Sequence, residues 1–334
     1  MATFEVNTGI TGSFRLGFSS GSGEVGTLWF DSGSQSVKYV YQGYGTGAWS
    51  TGGALIITTR SGMSAGTQNA GLSMGGLAAP AGAGQTCTEE YNGSSWSAGG
   101  DMIGTRERGA GAGTQNAAVT FAGTLGSTPF GGLATSEEYD GSTWTSGGTM
   151  ITARWAPGGA GTQNAGLAIG GYVPPAGTTC TEEYDGSAWA AGGALINARL
   201  RLAGAGTQNA GLAIGGVSAE TSTEEYDGSA WSAGGTLITG FQEHGGAGTQ
   251  NAAVGFGGGY PTPANHDHTE EYDGSTWSSA ANMITARKQV CGAGSQAAAL
   301  GMGGYTGNAP GSGPTGLACT EEYTQPTFSL TKEL

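Results

Sequence analysis

Residues 154–199 read RWAPGGAGTQNAGLAIGGYVPPAGTTCTEEYDGSAWAAGGALINAR. Short apolar runs broken by Gly, Asn and Asp predict strands joined by tight turns rather than helices. Residues 159–162 form a first strand, a. Gln163-Asn164 suits a hairpin turn, because Asn tolerates positive φ. Residues 165–171 form strand b, which ends in the double glycine Gly170-Gly171. Residues 181–184 form strand c, Asp185-Gly186-Ser187 is a second turn, and residues 189–196 carry strand d. Four short strands in about 46 residues make one blade of a β-propeller.

The unit recurs along the chain. Gly-Thr-Gln-Asn-Ala starts at Gly66, Gly113, Gly161, Gly206 and Gly248, with Gly-Ser-Gln-Ala-Ala at Gly294. The intervals are 47, 48, 45, 42 and 46 residues, the period of a repeat architecture. Thr/Ser-Glu-Glu-Tyr ends at Tyr91, Tyr139, Tyr184, Tyr226, Tyr272 and Tyr323. A tryptophan follows the first five of these after five residues, at Trp96, Trp144, Trp189, Trp231 and Trp277. Trp49 follows Tyr44 at the same spacing. Arg106, Arg154, Arg199 and Arg287 come ten residues after a tryptophan, Arg60 eleven after, and Phe241 fills the place in one copy.

This pattern resembles the kelch repeat. Its marks are a double glycine, a Tyr and a Trp at set spacing, and an Arg before the next blade. The resemblance covers about residues 36–323, and it implies an all-β, kelch-type propeller. Departures are Ala122-Gly123 in place of the double glycine, Phe241 in place of Arg, and no Trp after Tyr323. Counting both Tyr44-Trp49 and Tyr323-Phe328 as strands c and d gives seven blades across residues 1–334, the favoured count. Strands a and b of the first would then come from Ser13 to Phe18 and Gly26 to Phe30. The rival is six kelch-like repeats over residues 58–334, with residues 1–57 as an N-terminal docking hairpin.

Composition bounds the function. Glycine supplies 69 of 334 residues, yet the aromatic residues recur too regularly for a disordered linker. Acidic residues outnumber Lys plus Arg by 25 to 11, for a net charge of −14. That balance argues against nucleic acid, which needs a basic footprint. No apolar run approaches the roughly 18 residues that span a bilayer, so membrane insertion is not expected. The start, Met1 to Val6, has neither a basic n-region nor an apolar h-region, so no signal peptide is expected. The four cysteines (Cys87, Cys180, Cys291, Cys319) are too scattered for a disulfide framework.

The repeated residues read as structure. The tryptophans and tyrosines fill the space between blades. In each Glu-Glu pair, one carboxylate is expected to pair with a blade-start Arg and the other to be solvated. Asp-Gly-Ser at Asp140, Asp185, Asp227 and Asp273 is explained by turn chemistry without calcium. Kelch-type copper oxidases make an enzyme a third reading. Such a site needs separated His and Tyr ligands and a Cys near one tyrosine. His266-Asp267-His268 reads instead as a solvated loop, and His244 lies at a blade start. No catalytic residue, metal or cofactor is expected.

Function is expected where the repeats differ. The segments between strands b and c, 77–87, 124–135, 172–180, 217–222, 259–268 and 305–319, vary from 6 to 15 residues. The Tyr-to-Trp turns do not vary. Antiparallel blades place these variable loops on one face, and loops on a rigid scaffold commonly carry recognition. The candidates are Leu125, Phe130, Tyr172, Val173, Tyr260, His266, His268 and Tyr305.

Gly26-Thr27-Leu28-Trp29-Phe30-Asp31, then Val37 to Tyr41, then Trp49, looks like a hairpin of bacteriophage fibre and other virion proteins. The glycine-rich repeats resemble kelch-type phage proteins. That resemblance implies a non-enzymatic virion component: a tail fibre, tail or capsid-surface protein, made in the host cytoplasm. Its partners would be other virion proteins, or a host receptor or glycan, with a homo-oligomer possible. The second reading is a cytoplasmic kelch adaptor binding protein or glycan.

Overall fold

The computed structural model describes residues 14–17, 25–31, 36–78, 84–125, 131–218, 220–259, 265–307 and 316–333. Residues 14–17, 25–31, 36–44 and 328–333 are described as backbone. The chain divides into two compact units, residues 1–46 with 325–334, and Gly47–Thr324.

The larger unit is a propeller of six four-stranded antiparallel sheets. Blade 3 shows the pattern: a is Gly158–Thr162, b Ala165–Ile169, c Thr181–Tyr184 and d Trp189–Ala191. Its register sets Ala160 opposite Leu167, Leu167 opposite Glu183, and Tyr184 opposite Trp189. Strand b is shorter than the sequence implies, because both glycines after it take positive φ and turn the chain out of the sheet. Strand d also stops early, and its continuation is held by single bonds such as Leu195 N–H to Thr179 O at 2.9 Å.

Six blades form, not the seven favoured by sequence. Blade 6 takes a, b and c from Cys291–Ser295, Ala298–Met302 and Thr320–Thr324, and d from Ala48–Thr51. Trp49 stands opposite Tyr323, the place of the tryptophan missing after that tyrosine. The Tyr44-Trp49 spacing therefore does not mark a blade. Tyr44 ends the strand Ser36–Tyr44 of the smaller unit, and Phe328 lies in Thr327–Glu333 of the same sheet. That sheet runs Phe14–Gly17, Val25–Asp31, Ser36–Tyr44, Thr327–Glu333. In this sheet Val25–Asp31 and Ser36–Tyr44 form a hairpin joined by Thr327–Glu333, and the larger unit starts at Gly47.

Each a strand lies beside the next, and that of blade 6 beside that of blade 1, so the ring is closed. The approach is close. A Cβ on Gly204 would stand 2.5 Å from Gly159 O, across neighbouring a strands. The core is six apolar clusters, one at each blade interface. The one between blades 3 and 4 joins Leu167, Ile169 and Leu195 to Ala213, Tyr226 and Trp231.

Three polar contacts repeat at every interface, each from one blade to the one before. Tryptophan Nε1–H donates to a Thr or Ser hydroxyl, as in Trp231 to Thr181 at 2.9 Å. Tyrosine O–H donates to the second glutamate of the Glu-Glu pair, as in Tyr226 to Glu183 at 2.5 Å. That glutamate is therefore engaged, not merely solvated as the sequence suggested. Burial and this carboxylate together push the phenols of Tyr139, Tyr184 and Tyr272 up to about 12. The third contact was not anticipated. Gln208 Nε2 donates to Gly166 O (3.1 Å) and Tyr184 O (2.7 Å), and Gln68, Gln115, Gln163, Gln250 and Gln296 do the same. The Gln beside each turn is a bolt between blades.

The first glutamate of each pair meets a buried arginine of its own blade in four cases. Arg106–Glu137, Arg154–Glu182 and Arg287–Glu321 close at 3.2, 3.3 and 3.1 Å, and Arg199 pairs with Glu224. These arginines are at most 1% exposed. In blade 1 the slot belongs to Thr59, not Arg60. Thr59 O accepts Gly304 N–H as Arg199 O accepts Gly171 N–H, and Arg60 is displaced by one residue. In blade 5 the slot is Phe241. The two glutamates left without arginine, Glu89 and Glu270, rest on backbone N–H groups at 2.7–2.9 Å. Burial raises both carboxyls above the usual range.

Candidate functional site

The a–b and c–d turns lie at one end of the blades, and the b–c loops and d–a connections at the other. The turn face is uniform. Asp140, Asp185, Asp227 and Asp273 each accept N–H bonds from residues two and three places on, at 2.7–2.9 Å. These bonds hold their carboxyls below the ordinary aspartate value, Asp140 at about 2.

On the other face, six d–a connections meet around the propeller axis. Two residues past each slot, the chain turns left-handed at Ser61, Arg108, Ala156, Arg201, Glu243 and Gln289, with φ between 52° and 57°. Their backbones form a closed ring of hydrogen bonds. Arg108 N–H reaches Ser61 O, Ala156 reaches Arg108, Arg201 reaches Ala156, Glu243 reaches Arg201, Gln289 reaches Glu243, and Ser61 returns to Gln289, at 2.6–3.4 Å. A left-handed conformation costs a non-glycine residue about 1 kcal/mol. In a chain with 69 glycines, none of these six positions is glycine.

The ring surrounds the mouth of an axial cavity of about 160 Å³, whose wall includes Ser61, Arg108, Arg201, Glu243, His244 and Gln289. Four wall atoms, Ser61 Oγ, His244 Nδ1 and Nε2 and Gln289 Oε1, have no hydrogen-bond partner in the described chain. His244 stacks on Phe241 at 5.0 Å, and burial pulls its pKa down to about 3. Outside the ring, one residue of each d–a connection pairs with the residue after the double glycine. The pairs are Arg60–Leu77, Glu107–Thr124, Trp155–Tyr172, Leu200–Val217, Gln242–Gly259 and Lys288–Tyr305. The backbone geometry repeats while the side chains all differ.

The charges and exposed apolar groups also gather here. The propeller holds eight of the chain's Lys and Arg residues, since Arg15, Lys38 and Lys332 belong to the other unit. Four of the eight are the buried blade arginines, and the other four are Arg60, Arg108, Arg201 and Lys288. Aromatic rings support them. Arg108 and Arg201 lie 5.4 and 6.0 Å from Trp155, and Arg60 and Lys288 lie 5.6 and 5.7 Å from Tyr305. Arg201 also pairs with Glu243 at 3.0 Å. Ile56, Ile103, Ile151, Ile196, Ile238 and Ile284, each 57–63% exposed, occupy one equivalent place in every d–a connection, and Leu125 at 61% joins them on this face.

Of the residues expected from sequence, Tyr172, Val173 and Tyr305 lie next to the ring. Tyr172 packs on Trp155 at 4.8 Å, and Tyr172–Val173 pairs with Ala176–Gly177 in a small hairpin. Leu125 is exposed farther out. His266 and His268 pack ring to ring at 5.1 Å in the blade 5 loop. Phe130 and Tyr260 lie outside the described residues. No group of three or more His, Cys, Asp or Glu among the described residues is placed to hold a metal. Sequence reasoning missed Trp155, Arg108, Arg201, Lys288 and the isoleucines. The first four were signalled by variation immediately after each blade-start slot, the isoleucines by their recurrence seven residues after each blade tryptophan.

No family model matches the chain, and no curated protein matches it. Among solved structures, that of YjhT matches with a TM-score of 0.64 and 12% identity, over 84% of this chain and 97% of that one. At that identity the likeness shows the fold alone: this chain is a six-bladed propeller of the same general build.

Proposed function

We propose that the protein is a non-enzymatic recognition protein whose contact surface is the b–c face of the propeller. The observation that carries this is the ring of six left-handed, non-glycine residues. It keeps six diverse side chains at the axis where glycine would relieve the backbone. Exposed apolar residues on the same face add the area a partner would cover.

The biological setting we propose is a phage particle, in a fibre, tail or capsid-surface position. The virion-like hairpin lies in a four-stranded sheet that forms a compact unit of its own. Such a unit suits anchoring, which would leave the propeller for attachment or assembly. A chimera carrying the six b–c segments of another propeller tests the contact surface, and loss of partner binding with an unchanged melting temperature is expected. Mass spectrometry of purified particles tests the setting. A stoichiometric presence is expected, and absence would favour a cellular adaptor using the same face.

A further inference from the structure

We infer that the axial mouth of the b–c face is a binding site for a small oxyanion, the carboxylate or phosphate group of a ligand. This rests on reading the b–c face as the contact surface, and it adds the chemistry of what is contacted. In a chain of net charge −14, two of the four propeller cations outside the blade ion pairs, Arg108 and Arg201, line this mouth, and Arg60 stands within electrostatic reach of Arg108. The arrangement brings like charges together. Burial, and after it the charge of Arg108, depress the Arg60 guanidinium, whose Nε also has no hydrogen-bond partner.

Two carboxylates temper the charge. Glu243 is taken up by Arg201 at 3.0 Å and Gln289 at 3.4 Å, and Glu107 accepts from Thr124 at 3.1 Å. Arg60, Arg108 and Arg201 against these two carboxylates leave the mouth positive. Repulsion of this kind persists where an anion repays it.

The manner of support points the same way. Arg108 and Arg201 both lie over the Trp155 ring, at 5.4 and 6.0 Å from its centroid. The N–H edge of a guanidinium matches the paired oxygens of a carboxylate or phosphate, and of these two arginines it is Arg201 that already spends part of that edge on Glu243. Below the ring, Ser61 and His244 form part of the cavity wall. About 160 Å³ suits a small acidic group rather than a large ligand.

The test is calorimetric titration of the full chain with sodium phosphate and, separately, sodium malonate, at low and matched ionic strength with chloride as the blank. Saturable binding of at least one is expected, weakening as salt rises. The paired substitution R108Q/R201Q should weaken it at least about tenfold without moving the thermal midpoint. K332Q, which removes a cation of the other unit, should leave it unchanged. Whichever anion binds more tightly names the acidic group. No saturable binding, or equal affinity in R108Q/R201Q and the parent, overturns the site. Either failure leaves the contact surface itself to the loop chimera, which needs no anion.

Discussion

The two faces of the propeller are built from the same strands and differ in what they carry. On the turn face, Gln-Asn and Asp-Gly turns repeat almost without change, and each Gln bonds the blade before it. On the b–c face the backbone of the axial ring repeats as faithfully, with φ of 52–57° at all six positions, but the ring side chains diverge from blade to blade, while the exposed isoleucine of each d–a connection stays constant. Constancy of a buried or hydrogen-bonded side chain marks the groups that hold the ring together. Constancy of backbone with divergent side chains marks the groups the ring displays. Arg199 and Arg201 give the comparison at close range: one is wholly buried against Glu224, and two residues later the other stands on the axial ring.

The largest effect is expected from breaking that contrast at Arg199. Arg199→Ala leaves Glu224 buried without its charge partner and should cost about 3–5 kcal/mol of stability in urea unfolding. Arg201→Ala, whose side chain is a third exposed, should cost less than about 1 kcal/mol. Equal costs would mean that the two slots are not distinct.

Next comes Gln208→Ala, which strands Gly166 O and Tyr184 O at a blade interface. A loss of about 1–3 kcal/mol is expected, visible as a lower urea midpoint. A neutral result would show that this glutamine serves its turn alone.

Acid should find His244. Its folded pKa, about 3, lies below the unfolded value of 6.5. The stability it contributes is present above 6.5 and lost as pH falls toward 3. Near pH 4.5 that loss amounts to about 2–3 kcal/mol. Glu89 and Glu270 act in the opposite sense, because their carboxyls are raised. Their contribution is full below the unfolded pKa and is lost as pH rises through the folded one. His244→Phe should therefore flatten the acid limb of a melting-temperature profile between pH 6.5 and 4. An unchanged limb would place the acid sensitivity elsewhere.

The smallest effect on stability is expected from Ile151→Ser, within about 0.5 kcal/mol, since its side chain is largely exposed. Partner capture should still fall if the isoleucine positions belong to the contact surface.

The sequence by itself determined the blade. Strand c was read residue for residue, the Asp-Gly-Ser turns were assigned to backbone chemistry, and the irregular face was identified from loop lengths. All of these depend on residues a few places apart, where alternation and turn propensity act. What the sequence did not determine was the closure of the ring. Trp49 completes a sheet with Tyr323 because the first strand of the propeller supplies its last blade, and no local spacing encodes a partner 274 residues away. The displacement of Arg60 by Thr59 follows from the same kind of distant bond, Gly304 to Thr59. The axial site was hidden for that reason as well. Arg60, Arg108, Arg201 and Lys288 are scattered over more than 200 residues of sequence, and only the closed ring, which brings every blade's entry to one axis, makes them neighbours.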